Sequence, residues 1–257
     1  MEKNLIVRAI LTLPFLISVG LVRAETFRVE TTLFAAEDEE PFGKNLTLFQ
    51  QNVVYDYALA RSPQIAVVFK PGNERVAGRF ILLNPEREER TELSTLEVQQ
   101  LVANVVVWAR QQDDPLMRFA AQPKFKMSYD AEQEELTCDS EPMRYRVKTM
   151  LAPNHEVANA YRGFADAFAQ LDTLLNPGSR PPLPRLEVNR ELGQRRLVPR
   201  EVRLSFAAAK ESERKANEVR AVHQVAWRLT RTDRERLETT NEQLVKFRLV
   251  DLKTFER

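Results

Sequence analysis

Apolar and polar residues alternate through most of this chain, and at three places the alternation gives way to helical spacing. Phe27, Val29, Thr31 and Leu33 alternate with Arg28, Glu30 and Thr32, which predicts a first strand. Residues 37–43 (acidic, with Pro41 and Gly43) predict a loop. Residues 46–59 then predict a longer strand with a break near Asn52. Residues 64–69, 79–83 and 87–93 continue as strands, separated by the turn signals Pro71-Gly72-Asn73 and Asn84-Pro85. Further on, Phe125-Met127-Tyr129, Leu136-Cys138, Tyr145-Val147-Thr149 and Val202-Leu204-Phe206 repeat the two-residue period. The run from Val219 to Leu229 alternates without a fault. It puts His223 and Trp227 on one inward-facing side, both expected to be buried. Residues 247–252 predict a closing strand.

The three helical stretches are well punctuated. Ser94 with Glu97 forms a capping box, followed by Leu101, Val102, Val105, Trp108 and Ala109 on one face and ended by Asp113-Asp114-Pro115. Asn154 caps a second helix, whose stripe is Val157, Tyr161, Phe164, Phe168, Leu171 and Leu175. Asn176-Pro177-Gly178 stops it, and Arg180-Pro181-Pro182-Leu183-Pro184 predicts a stiff extended connector. Residues 207–217 predict a polar loop or a short exposed helix. Thr232 with Glu235 predicts a third helix through Leu237, Asn241 and Leu244. Alternating strands joined by turns favour antiparallel pairing with one wet face. The fold class expected is α+β: one domain over 25–257, a large curved antiparallel sheet, and about three amphipathic helices on its concave face.

The first 24 residues carry an address. Lys3 and Arg8 precede an apolar run of about 13 residues, from Ala9 to Leu21, and Val22-Arg23-Ala24 offers small residues before a cut at Glu25. This is the layout of a signal peptide cleaved after Ala24, which implies a periplasmic or secreted chain; a retained N-terminal anchor is the alternative. Removing Lys3, Arg8, Arg23 and Glu2 from 38 basic and 37 acidic residues leaves 35 and 36. Such a balance gives no general attraction to nucleic acid or to an anionic membrane.

Candidate chemistry is sparse. Cys138 is alone, so no intramolecular disulfide forms, and its alternating setting predicts a buried, inert thiol. His223 reads as a core histidine or, alternatively, as a ligand or general base. No His-Glu-x-x-His, Gly-x-Ser-x-Gly or clustered-glycine motif is present, so neither a metal, a cofactor nor an enzyme activity is expected. Arg195, Arg196, Arg200 and Arg203 read as a solvated strand edge facing glutamates. What remains is aromatic area. Tyr55, Tyr57, Phe69, Phe80, Tyr161, Phe164, Phe168 and Trp227 would converge if the helices cover the sheet, either as core or as the lining of an apolar cavity. The 155–175 helix, followed by the proline connector, is the candidate lid.

The export signal, the hairpins over 53–59, 65–69 and 80–93, the Phe80-Ile81-Leu82-Leu83-Asn84-Pro85 segment and Arg200-Glu201-Val202-Arg203-Leu204 together resemble the periplasmic carriers of outer-membrane lipoproteins. The resemblance covers about residues 45–93 and 183–230 by pattern. It implies a half-open antiparallel barrel whose helix-covered concave face receives acyl chains. The function expected is therefore a non-enzymatic, exported carrier of a lipid or acylated partner, with peripheral membrane contact. The alternative is an exported structural or protein-interaction domain with a dry core.

Overall fold

A computed structural model describes residues 26–35, 38–60, 64–176, 180–207 and 218–256. The expected signal segment with its cleavage point and most of the 207–217 loop lie outside the described residues.

The described chain builds one mixed sheet of twelve strands with six helices. A meander runs through β1 (Thr26–Ala35), β2 (Gly43–Gln50), β3 (Val53–Ala58), β4 (Ala66–Lys70), β5 (Arg79–Asn84) and β6 (Glu89–Ser94). Helices α1 (Thr95–Ala109) and α2 (Pro115–Ala121) then carry the chain to the far edge, where β7 (Lys126–Asp130), β8 (Glu135–Asp139) and β9 (Met143–Leu151) form a second meander. Next come α3 (His155–Leu175), α4 (Leu183–Gln194), β10 (Leu197–Phe206) and β11 (Glu218–Ala226). The last elements are α5 (Arg231–Lys246), β12 (Arg248–Leu249) and α6 (Leu252–Phe255). The order across the sheet is β12-β6-β5-β4-β3-β2-β1-β11-β10-β9-β8-β7. β11 and β10 bridge the two meanders, β1 pairing antiparallel with β11 and β10 with β9, and the short β12–β6 pair is the parallel exception. β12 and β7 are open edges, so the sheet is not closed into a barrel.

Local sequence explains the elements. Gln51 and Asn52, with φ of 50° and 64°, make the two-residue turn that converts the expected long strand into the β2–β3 hairpin. Ser94 and Glu97 cap α1 reciprocally, and Asn154 caps α3 by accepting from Val157 N. The box at the start of α5 is Thr230 with Asp233, two residues earlier than the expected Thr232–Glu235 pair. Asp114 caps α2 with Pro115 in its first turn, a short helix with no counterpart among the expected elements. The proline connector is shorter than expected, because α4 begins within it, at Leu183.

Two expectations about faces fail. The sheet does not keep one wet face throughout. Residues 46–49 of β2, 54–57 of β3, 66–69 of β4 and 80–84 of β5 are buried on successive positions, hence on both sides. One side holds Phe27, Phe49, Phe69, Phe80 and Leu82 against α3 and Val98 of α1. The other holds Leu46, Leu48, Tyr55, Tyr57, Val68 and Ile81 against Leu237 of α5. The helices therefore cover two faces rather than one concave face. Second, α1 buries Val98, Val102, Val106 and Ala109, while Trp108 is 46% exposed. With apolar residues almost all round its last two turns, this helix has no unique stripe, and contact with α2 and α3 decides its rotation.

Candidate functional site

The eight aromatic residues singled out by the sequence do not share one cavity. β3 pairs with β4 so that Val54 opposes Phe69 and Tyr55 opposes Val68. Side chains alternate along a strand, so Tyr55 and Tyr57 face away from Phe69, Phe80 and α3. Their hydroxyls are spent on α5: Tyr55 donates to Asn241 Oδ1 at 3.1 Å, and Tyr57 meets Thr240 Oγ1 at 2.8 Å. Burial pushes the Tyr57 phenol up to about 12.

Under α3 the rings pack on one another. Phe27 stacks on Phe49 at 3.9 Å between centroids. Phe49 meets Tyr161 at 6.4 Å and Phe164 at 5.7 Å, and Phe164 meets Phe168 at 5.2 Å. Trp227 lies beyond the end of β11, which stops at Ala226. It is 37% exposed, with its ring tilted at 52° to Phe27 and 5.8 Å away, so the expectation of a buried Trp227 is corrected. The unbroken alternation ran past the point where pairing with β1 ends, at Arg28–Ala226.

Two clefts flank this aromatic layer. The first, about 470 Å³, lies between the β4–β5 loop, the start of α1 and the outer flank of α3. Phe69 and Phe80, stacked at 4.9 Å, form part of its wall, with Asn73, Gln99, Asp166 and Gln170 as polar lining. Its loop is pinched at the base. A Cβ on Gly72 would meet Gly78 N at 2.4 Å, and one on Gly78 would meet Gly72 N at 2.7 Å. Asp166 accepts from Asn189 Nδ2 at 2.8 Å and pairs with Arg162 Nε at 3.5 Å, yet burial still raises its pKa.

The second cleft, about 340 Å³, lies between the last turns of α3, the 180–185 segment and the surface of β9–β11. Its floor is apolar: Met143, Tyr145, Val202, Leu204, Phe206, Val219 and Ala221. Its wall carries Arg180, whose guanidinium stands 4.4 Å over the Phe206 ring, and the half-buried Arg185. Neither arginine stands out as a site residue in the sequence. The signal is masked because both sit in or beside what reads as a connector, and only the placement of α4 turns them toward the sheet.

His223 lies on the same side of β11 as Val219 and Ala221. The residue is half-buried rather than buried as expected; its Nδ1 is 2.9 Å from Thr31 Oγ1, and its Nε2 is enclosed without a hydrogen-bond partner among the described residues. Burial, reinforced by the nearby Arg185 charge, pushes its pKa down to about 3, so the ring is neutral at physiological pH. A neutral ring with so low a pKa is a poor general base. Cys138 is buried, and its thiol is pushed up to about 12 by burial and by Glu191 and Glu187. The basic group is not the expected strand edge, because β10, which carries Arg200 and Arg203, is paired on both sides by β9 and β11, and Arg195 ends α4; the expected facing acids are present, Arg195 pairing with Glu191, Arg200 with Glu134, and Arg203 with Glu201 and Glu218. Among the described residues no group of three or more His, Cys, Asp or Glu side chains is placed to hold a metal ion, and no helix is long and apolar enough to cross a membrane.

No protein-family model matches this chain, and no curated protein matches it.

Proposed function

We propose that the protein is an exported, non-catalytic binding protein that shelters the apolar chain of a lipid or acylated partner in the cleft over β9–β11. The observation that carries this reading is the floor of that cleft. Seven apolar side chains of the sheet line an opening of about 340 Å³. That volume is at the lower end of the range of about 300–1,000 Å³ typical of small-molecule sites. Burying ten methylenes there contributes about 8 kcal/mol, at about 0.8 kcal/mol each, before association costs. Micromolar affinity is within reach without any reacting group.

The address and the family likeness belong to the same proposal. Cleavage after Ala24 would release the chain to the periplasm or outside the cell, where a carrier of acyl chains would meet membranes peripherally. The likeness in pattern to the lipoprotein carriers, with their half-open barrel and helix-covered acyl site, points the same way. The competing reading is a structural or partner-binding domain with a dry core. It draws on the ring-to-ring packing of Phe27, Phe49, Tyr161 and Phe164, which leaves α3 little freedom to act as a lid.

The test is titration of the purified chain with a fluorescent fatty acid, compared with Ala221→Phe, which fills the floor without adding charge. Saturable binding by the wild type and its loss in the variant are expected. No saturable binding would leave the dry-core reading in place, and equal binding by both would move the site out of this cleft.

A further inference from the structure

The second cleft has a cationic end. Arg185 is half-buried at its wall and makes no ion pair with any described residue. Its field reaches Tyr145, Tyr161, His223 and Asp166. Of these, only Asp166 is a carboxylate, and its oxygens are already engaged by Asn189 and Arg162. The other acid at the cleft, Asp172, is exposed and accepts from Asn176 Nδ2 at 2.7 Å. Arg180 adds a second guanidinium at the rim, standing over the Phe206 ring. A guanidinium taken half out of water with no described carboxylate within ion-pair distance is costly, and its fork of donors matches a planar or tetrahedral oxyanion. The apolar floor, Tyr145 included, lines the same cleft as this guanidinium.

We propose that the cleft takes a single-chain amphiphile with an anionic head, a carboxylate or a phosphate monoester, whose oxygens bind Arg185 while its alkyl chain lies on β9–β11. This rests on the reading of the cleft as a ligand site and adds the class of ligand. The charge pair is formed in a partly desolvated place, where a charge-assisted, bidentate contact is strongest.

The experiment measures binding of dodecanoate, dodecyl phosphate, dodecanol and dodecyltrimethylammonium to the whole chain, below their aggregation concentrations, by displacement of a fluorescent probe. The acid or the phosphate should bind the wild type about tenfold or more tighter than the alcohol, and the ammonium should bind worst. Whichever anion is preferred names the head group. Arg185→Gln should bring the anions down to the affinity of the alcohol, with the alcohol unchanged, and Arg185→Lys should keep part of the preference. Equal binding of acid and alcohol by the wild type overturns the anionic head while leaving the apolar cleft standing. Preference retained by Arg185→Gln overturns the role of Arg185. Failure of all four to bind overturns the cleft itself. The comparison of the four ligands on the wild type needs no variant, so it decides even if Arg185→Gln does not fold.

Discussion

Asp56 gives the sharpest test of the energetics. It is 4% exposed in β3, and its carboxylate accepts from Thr47 Oγ1 at 2.6 Å and Asn45 Nδ2 at 2.9 Å. Burial outweighs these two donors and pushes the pKa up from 3.8 to about 6. A carboxyl whose folded pKa stands above its unfolded one binds its proton more tightly in the folded state. Its contribution is therefore most favourable below about pH 4 and is lost as the pH rises through about 6. A displacement of about two units is worth about 3 kcal/mol. Asp56→Asn removes the charge at every pH. Its Oδ1 still accepts from Thr47, and the Asn45 amide can turn to offer its oxygen to the new Nδ2. Urea unfolding followed by tryptophan fluorescence, repeated from pH 4 to pH 8, should show the variant close to wild type at pH 4. By pH 8 it should be more stable by about 3 kcal/mol. Taking the difference between variant and wild type cancels the other titrating carboxylates. A difference that stays constant across this range would mean that Asp56 is solvated or paired with a cation, and the reasoning would fail.

Three further outcomes follow from packing. Phe49→Ala should cost about 3–5 kcal/mol, because its ring touches Phe27, Tyr161 and Phe164; Trp227→Ala should cost about 1 kcal/mol. Chemical melts of the two variants check the ranking, and its reversal would contradict the placement of Trp227. Gly78→Ala should destabilise by about 1–3 kcal/mol through contact with Gly72 N and Lys70 O, whereas Gly163→Ala, with nothing within 4 Å of the new Cβ, should stabilise α3 by about 0.5–1 kcal/mol; thermal melts decide both. Cys138 should react with a thiol reagent at pH 8 only as fast as the protein opens, since its thiol is buried and pushed up to about 12. A rate close to that of an unfolded peptide would refute this.

Signals within a few residues of one another were legible in the amino-acid sequence. Alternation located β1, β7, β8, β9 and β11, and Ser94-Glu97 and Asn154 set the starts of α1 and α3. A mixed fold dominated by antiparallel strands followed, and so did the burial of Cys138. These features depend on backbone dihedrals and side-chain periods, which each segment carries with it. The tertiary structure alone decided which side of each element is covered. The runs 46–49, 54–57, 66–69 and 80–84, in β2 to β5, are buried on both faces, and only the arrival of α5 on the second face explains why. Tyr55 and Phe69 are both aromatic residues in neighbouring strands, yet the pairing of Tyr55 with Val68 sends them to opposite sides. Arg180 and Arg185 were invisible for the same reason: a charge in a proline-rich segment acquires a meaning only when the fold sets it over an apolar floor built from strands 143–151, 197–206 and 218–226. Register and the docking of helices join residues far apart in the chain, and no local pattern records them.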